Sequence, residues 1–441
     1  MRGVRGFVLG ALAALGLVGA VLPARAQQPA PFNWKRYDGA TITFLSENHP
    51  WPSAVLPYLD EFKKLTGITV RVETFVEAQA HQRLNTLLQQ HSSDIDVYMA
   101  LKARDGRLYY TSGWYYDLTP FLKDPSMTAP GYDLNDFYAN LLELPAYGNK
   151  VVAIPLNIEG PILEWRQDVF DACHIQPPNT LEEIEPVAAK LKACQPNLVS
   201  FVSRGLRSAL PYTFVPFFYN FGGNYDHILQ RQAYCSPAGE KALSYYTELL
   251  NKYGPPGVAN YTFYQITDIF GQGRAAMAFG SSNEFGKIMA YPHRADDVAL
   301  KVLPPGAESH VSKPLVIDWG LAVSAFSKNP GPSWYFVQWA TSKEMDARIA
   351  LKGIAPPRQS VALSPEFAKW LAEKPNRQQW IAALKQLSST GYTSTQPPAM
   401  INNPEANDAI GGGVQSVMLG QATAKDAGCK IDDSIIALLP K

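Results

Sequence analysis

The chain holds 441 residues, with 39 Lys and Arg set against 39 Asp and Glu, and 12% of its residues are aromatic. No long run of like charge occurs, which argues against a nucleic acid or an anionic membrane surface as the partner. At roughly 150 residues per domain, the length asks for two or three domains.

The first residues read as an export signal. Arg2 and Arg5 precede an uncharged apolar run from Phe7 to Leu22, and Pro23-Ala24-Arg25-Ala26 follows. This is the three-part pattern of a cleavable signal peptide over residues 1–26, cut after Ala26. The alternative, an uncleaved anchor, calls for a longer run less rich in Gly and Ala. Three arginines and no acid leave with the signal, so the mature chain has 415 residues and a formal charge of −3. Gln27 follows the cut and no Cys stands near it for lipid attachment. The mature protein is therefore expected to diffuse freely in a periplasm.

Beyond the signal, Thr41–Leu45 reads as a strand and Ser46–Pro52 as a loop. Val55, Leu56, Leu59, Phe62 and Leu65 recur at helical spacing, with Gly67 at the C-terminal cap. Strands are expected at 68–72 and 95–99 with a helix between them carrying Leu84, Leu87 and Leu88. This β-α-β-α-β alternation implies a mainly parallel sheet with ligands at the carboxyl ends of its strands. Farther on, helices are expected near 133–144, 168–171, 181–192, 237–253, 263–270, 333–341 and 378–387. Strands are expected at 151–155, 275–279, 298–303 and 315–326. In an oxidising compartment Cys173, Cys194, Cys235 and Cys429 are expected to pair. Cys173 with Cys194 is the favoured bridge, closing a local loop over one helix, and Cys235 with Cys429 is the long-range second pair. Three connectivities remain open.

Six segments taken in order carry a family resemblance: Phe62 to Val70, Ser93 to Val97, Gly113 to Pro120, Gly148 to Pro155, Phe270 to Met277, and Trp319 to Ser324 with Trp334 to Thr341. They resemble the extracellular solute-binding proteins of ABC importers, in the sugar-binding group that includes maltose- and multiple-sugar-binding proteins. The resemblance implies a two-lobed periplasmic-binding-protein fold of α/β class (type II-like), each lobe a mainly parallel sheet flanked by helices. It implies an N-terminal lobe of residues 32–155 plus 314–359, a C-terminal lobe of 156–313 plus 360–441, and a ligand in the interlobe cleft. It also implies closure about a hinge, delivery to the transmembrane subunits of an ABC permease, a monomer, and no cofactor.

A polyhydroxylated solute needs aromatic faces and planar hydrogen-bonding groups on loops at strand ends. Glu47, Asn48, His49 and Trp51, after the first strand, supply both. Lys102 and Arg104 occupy the loop after the third strand, and Asn157 and Glu159 lie just past the hinge approach at Pro155. Phe217 and Tyr219 are the expected stacking residues of the second lobe, Ser281 and Asn283 follow a strand there, and Trp319 is the best single stacking candidate. Arg358 is expected at the cleft rim as a bidentate donor.

Catalytic signatures are absent: no His-Glu-x-x-His, Gly-x-Ser-x-Gly, Cys-x-x-Cys or Walker loop occurs. Gly271-Gln272-Gly273-Arg274-Ala275-Ala276 loosely matches a dinucleotide fingerprint, but it leads into a strand where the fingerprint must leave one. The seven His lack metal-ligand spacing. A carbohydrate-active enzyme, a chemosensory binding protein and a binder of phosphorylated polyols stand as alternatives to sugar, oligosaccharide or polyol import.

Overall fold

The computed structural model describes Gly3 and residues 31–292, 294–395, 400 and 402–439. The expected signal peptide lies outside the described residues, Gly3 excepted.

Strand β1 (Thr41–Glu47) pairs in parallel with β2 (Thr69–Phe75) and with β3 (Val97–Leu101). Strand β4 (Ile154–Pro155) completes the sheet from the far side of β8 (Trp319–Val323), giving the order β2-β1-β3-β8-β4. Strand β8 runs antiparallel to both of its neighbours, with Leu101 opposite Trp319 and Ile154 opposite Leu321. Period-two alternation explains why this sheet is buried on both faces. Ile42 and Phe44 join Val97, Leu321, Trp334 and Phe336 in one core, while Leu45, Tyr98 and Ala100 meet Leu84 and Leu88 in another. Each buried Leu, Ile, Val or Phe among them contributes roughly 1.5–3 kcal/mol of burial free energy.

The second sheet has the order β6-β5-β7, from β5 (Pro161–Arg166), β6 (Met277–Ser281) and β7 (Val298–Val302). Here the strand directions differ from the mainly parallel expectation, because both ladders are antiparallel. Strands β6 and β7 run the same way, but β5 lies between them, so their parallel crossover never becomes a parallel ladder. Parallel pairing survives in the bridges Val199 to Ala275 and Val202 to Ala278. Leu163, Trp165, Met277 and Phe279 face a core built with Phe214, Phe217, Tyr246, Ile410 and Val414. The chain passes between the two sheets three times. The segment after β4 leads to β5, the segment after β7 leads to β8, and a third returns from helix Lys343–Ala350 to helix Pro375–Thr390, which packs on β7.

Local differences from expectation have local causes. The Ser46–Pro52 loop is shorter than read: β1 runs to Glu47 and a helix starts at Pro50, with His49 as its N-cap. Proline needs no N–H partner in a first helical turn, so the residues that look like loop punctuation here start a helix. The long helix read around Leu59 is interrupted by a 3-10 turn at Leu56–Tyr58, where Pro57 lacks a donor. Gly67 does close it in the left-handed region, at φ 77°. The helix expected at 133–144 shrinks to Ala139–Leu142 and ends on Glu143 at φ 49°, and the strand expected at 151–155 pairs only at Ile154–Pro155. Both disulfides form, Cys173–Cys194 and Cys235–Cys429.

Candidate functional site

The two sheets are stitched where the chain passes between them, and that seam floors a cavity. Glu159 N–H donates to Ile317 O at 2.9 Å, Ile317 N–H donates back at 2.8 Å, and Leu156 N–H donates to Trp319 O. Above these paired crossings lies about 630 Å³ of atom-free space, mouth included. Of the sequence-expected residues, His49, Arg104, Glu159, Ser281 and Trp319 line it.

Asn157 works one step behind. Its Nδ2 donates to Glu159 Oε2 at 2.9 Å and its Oδ1 accepts from the Trp319 backbone N–H, so one buried amide aims a carboxylate and pins the strand at Trp319. His49 reaches the cavity because its Nδ1 accepts from Trp51 N–H at 3.3 Å as the cap of helix Pro50–Val55. Its Nε2 lies 3.5 Å from Glu159 Oε2 and 2.9 Å from Asn283 Nδ2. Trp319 stands tilted against the same imidazole, with ring centroids 5.3 Å apart.

Arg104 projects from a π-helical turn, Lys102–Gly106, which takes over directly from β3. Such turns recur at functional sites because they re-aim side chains that an α-helix would stack. Burial works against its charge, yet Asp105 and Glu77 outweigh burial, and the guanidinium is held firmly protonated. Burial likewise works against Asp105, but Arg104 and His81 hold its carboxyl at about 2. Glu47, at the end of β1, is pushed well above the carboxylate range by burial first and by Glu77 next. Burial also raises Glu284, against the pull of His49 and Lys287.

The wall contributed by the second sheet holds residues that pattern reading passed over. Arg204 is buried, with its guanidinium 4.0 Å from the Tyr212 ring centroid and 5.5 Å from that of Phe263. Among the described residues its Nε has no hydrogen-bond partner. Phe263 opens a helix whose capping box, Thr262 with Gln265, was visible in the sequence as Thr-x-x-Gln. Arg204 comes from an irregular stretch with no periodicity to mark it.

The remaining expected residues lie elsewhere. Asn48 and Asn283 line an adjoining hollow, and Trp51 is packed in the core of the first sheet. Lys102 turns beneath the floor to Asp318 at 3.0 Å and to Leu141 O. Phe217 is locked in the second core against Tyr246 and Phe279, and Tyr219 packs on Tyr392. Arg358 is 1% exposed, donating to Thr341 O, Asp133 O and Asp136, so it clamps the first lobe and does not reach the rim.

The profile of bacterial extracellular solute-binding proteins matches residues 58–376. The chain belongs to this family. Members capture solutes and are not enzymes. The erythritol/L-threitol-binding protein of Mycolicibacterium smegmatis is 29% identical over 368 residues, covering 75% of this chain and 73% of that one. A probable amino-acid ABC transporter periplasmic-binding protein of Sinorhizobium fredii is 24% identical over 404 residues, covering 88% and 87%. Among solved structures, maltose-bound T. maritima MalE3 superposes with a TM-score of 0.79 at 20% identity, over 91% of this chain and all of that one. A ribitol complex from Agrobacterium radiobacter gives 0.78 at 24% identity, over 91% and 98%. The two-lobed binding-protein fold follows from these superpositions.

Proposed function

We propose that this protein captures a neutral polyol or sugar between its lobes and delivers it to the transmembrane subunits of an ABC permease. The observation that carries the reading is the mixed lining of one cavity. Glu159 only accepts and Arg204 only donates, Ser281 does both, and Trp319 and Phe263 add apolar faces. A hydroxyl is donor and acceptor together, so a chain of hydroxyls can satisfy both kinds of wall, whereas a simple anion or cation meets a wall group of its own sign. Relatives that bind erythritol or L-threitol and mannitol point the same way. The lobes are taken as residues 32–155 with 314–359 and residues 156–313 with 360–441. The mature chain is taken as a free periplasmic monomer starting at Gln27.

Closure is the working step. A ligand shifts the open–closed equilibrium only by binding the closed form more tightly, and residues here come from both lobes and the crossings between them. A thermal-shift screen of the mature protein with erythritol, ribitol, mannitol, maltose, sugar phosphates and amino acids tests this. A ligand at one hundred times its Kd stabilises by about 2.7 kcal/mol, which a melt resolves. A rise with a neutral polyol or sugar is expected; a rise with amino acids alone overturns the reading. Mass spectrometry of the periplasmic fraction should return a chain beginning at Gln27.

A further inference from the structure

The space between the lobes is divided in two. Beside the cavity lies a second hollow of about 730 Å³ of atom-free space, mouth included, whose lining contains Asn48, Ser53, Asn283 and Lys352. His49, Phe263 and Glu284 line both spaces and form the partition. His49 is the member that reaches across: it is tied to its own helix through Nδ1 and meets Asn283 of the other lobe through Nε2. At 6% and 1% exposure the pair is part of the interior and not a surface flap. Glu284 is braced from behind by the Thr267 hydroxyl at 3.1 Å.

We propose that the His49 ring, held by its cap on helix Pro50–Val55, sets the length of ligand the protein accepts. A single acyclic polyol or monosaccharide occupies the inner cavity, and a second sugar unit would need the space that the ring fills. This rests on the polyol-or-sugar reading. The outer hollow has hydroxyl partners of its own in the Asn48 amide, the Ser53 hydroxyl and the Lys352 ammonium. What separates it from the inner cavity is therefore the wall and not a want of polar groups.

His49→Ser isolates the wall, because Ser is itself a favoured N-cap and keeps helix Pro50–Val55 started while deleting the ring. His49→Asn, which caps equally well without an imidazole, serves if the Ser variant does not fold. Calorimetry on the mature wild type, each variant and Asn283→Ala would use ribitol, mannitol and maltitol. The wild type is expected to bind a short polyol at least a hundredfold more tightly than maltitol, and His49→Ser to shrink that ratio to tenfold or less. Asn283→Ala leaves the ring in place and should weaken every ligand by a similar factor without shrinking the ratio. A wild type that takes maltitol as well as the short polyols, or a His49 variant that behaves like Asn283→Ala, overturns the length limit. A wild type that binds none of these probes overturns the polyol-or-sugar reading itself, and the length limit falls with it.

Discussion

Among the described residues Arg204 is held in the cavity by aromatic rings and not by a carboxylate, and that decides what its removal does. A desolvated cation without a full set of partners is costly, and replacing such a group by an apolar side chain of similar length is often neutral or stabilising. Its stack on Tyr212 offsets part of that cost, by roughly 1–2 kcal/mol. Arg204→Met should therefore leave the melting temperature within a few degrees of wild type while weakening polyol binding at least tenfold, as read by calorimetry. Glu164 makes a second residue-scale case. On β5 it is 1% exposed, and burial together with the nearby Glu284 raises its carboxyl to about 8. Between the ordinary value near 4.5 and about 8, the folded chain holds a proton that the unfolded chain has released. The resulting stability is present in full below pH 4.5 and is lost as pH rises through about 8. Urea titrations from pH 5 to 8.5 should show wild-type stability falling more steeply than that of Glu164→Gln, by up to roughly 1 kcal/mol per pH unit. Neither residue was legible beforehand. A lone Arg in an irregular segment and a Glu inside an apolar strand carry no pattern, whereas His49, Glu159, Ser281 and Trp319 stand beside strand ends or crossings that the pattern marks.

Elements with their own punctuation were the legible ones. Helix Pro237–Tyr253 has the bounds read from the sequence, because Ser236 caps it and Pro237 sits where a missing N–H costs nothing. Helix Leu210–Asn220 has no such mark in the sequence. It is buried all round and has Pro216 inside, so neither an amphipathic stripe nor an unbroken run announces it. Helix Asn403–Met418 was missed for a similar reason, since Gly411, Gly412 and Gly413 stand in its middle and each costs about 1 kcal/mol relative to Ala. Packing explains the outer two. A Cβ on Gly411 would stand 2.0 Å from Arg207 O, and one on Gly413 would stand 2.5 Å from the Ile431 side chain. At Gly412 the nearest atoms belong to the Arg207 guanidinium at 3.0 Å, an exposed and flexible group. Gly412→Ala should therefore raise stability by up to about 1 kcal/mol, and Gly411→Ala should lower it by roughly 2 kcal/mol or more despite the same propensity gain. Chemical denaturation of the two variants side by side separates backbone contact from helix propensity. Below this helix, Asp432 accepts from the N–H groups of Ala233, Tyr234 and Cys235. With Cys235–Cys429 beside it, it pins the last helix to the second lobe.

At the scale of the whole molecule, polar contacts reach from one lobe to the other. Helix Glu77–Gln89 begins at Val76, which offers no side-chain cap, and its first N–H group donates instead to the Tyr264 hydroxyl at 3.2 Å. Tyr264 belongs to the helix Phe263–Gly271, so a residue of one lobe caps a helix of the other. Glu77 also holds Arg104 at the cavity wall, which ties this contact to the site. Opening hands the Glu77 N–H to water, so the contact contributes about 1 kcal/mol to closure, the net worth of one hydrogen bond. Tyr264→Phe keeps the ring and its packing but deletes the acceptor. Apparent affinity scales with the fraction of molecules in the binding-competent form, and 1 kcal/mol corresponds to about a fivefold change in that ratio. Provided that the open form predominates before ligand arrives, every ligand should then bind about fivefold more weakly, and all by the same factor. A contact with the ligand would instead weaken some ligands and spare others. Calorimetry with two or more ligands distinguishes these cases, and small-angle scattering should return the same radius of gyration for the saturated variant as for the saturated wild type. A loss confined to one ligand would make Tyr264 part of the binding wall and not a clasp between the lobes.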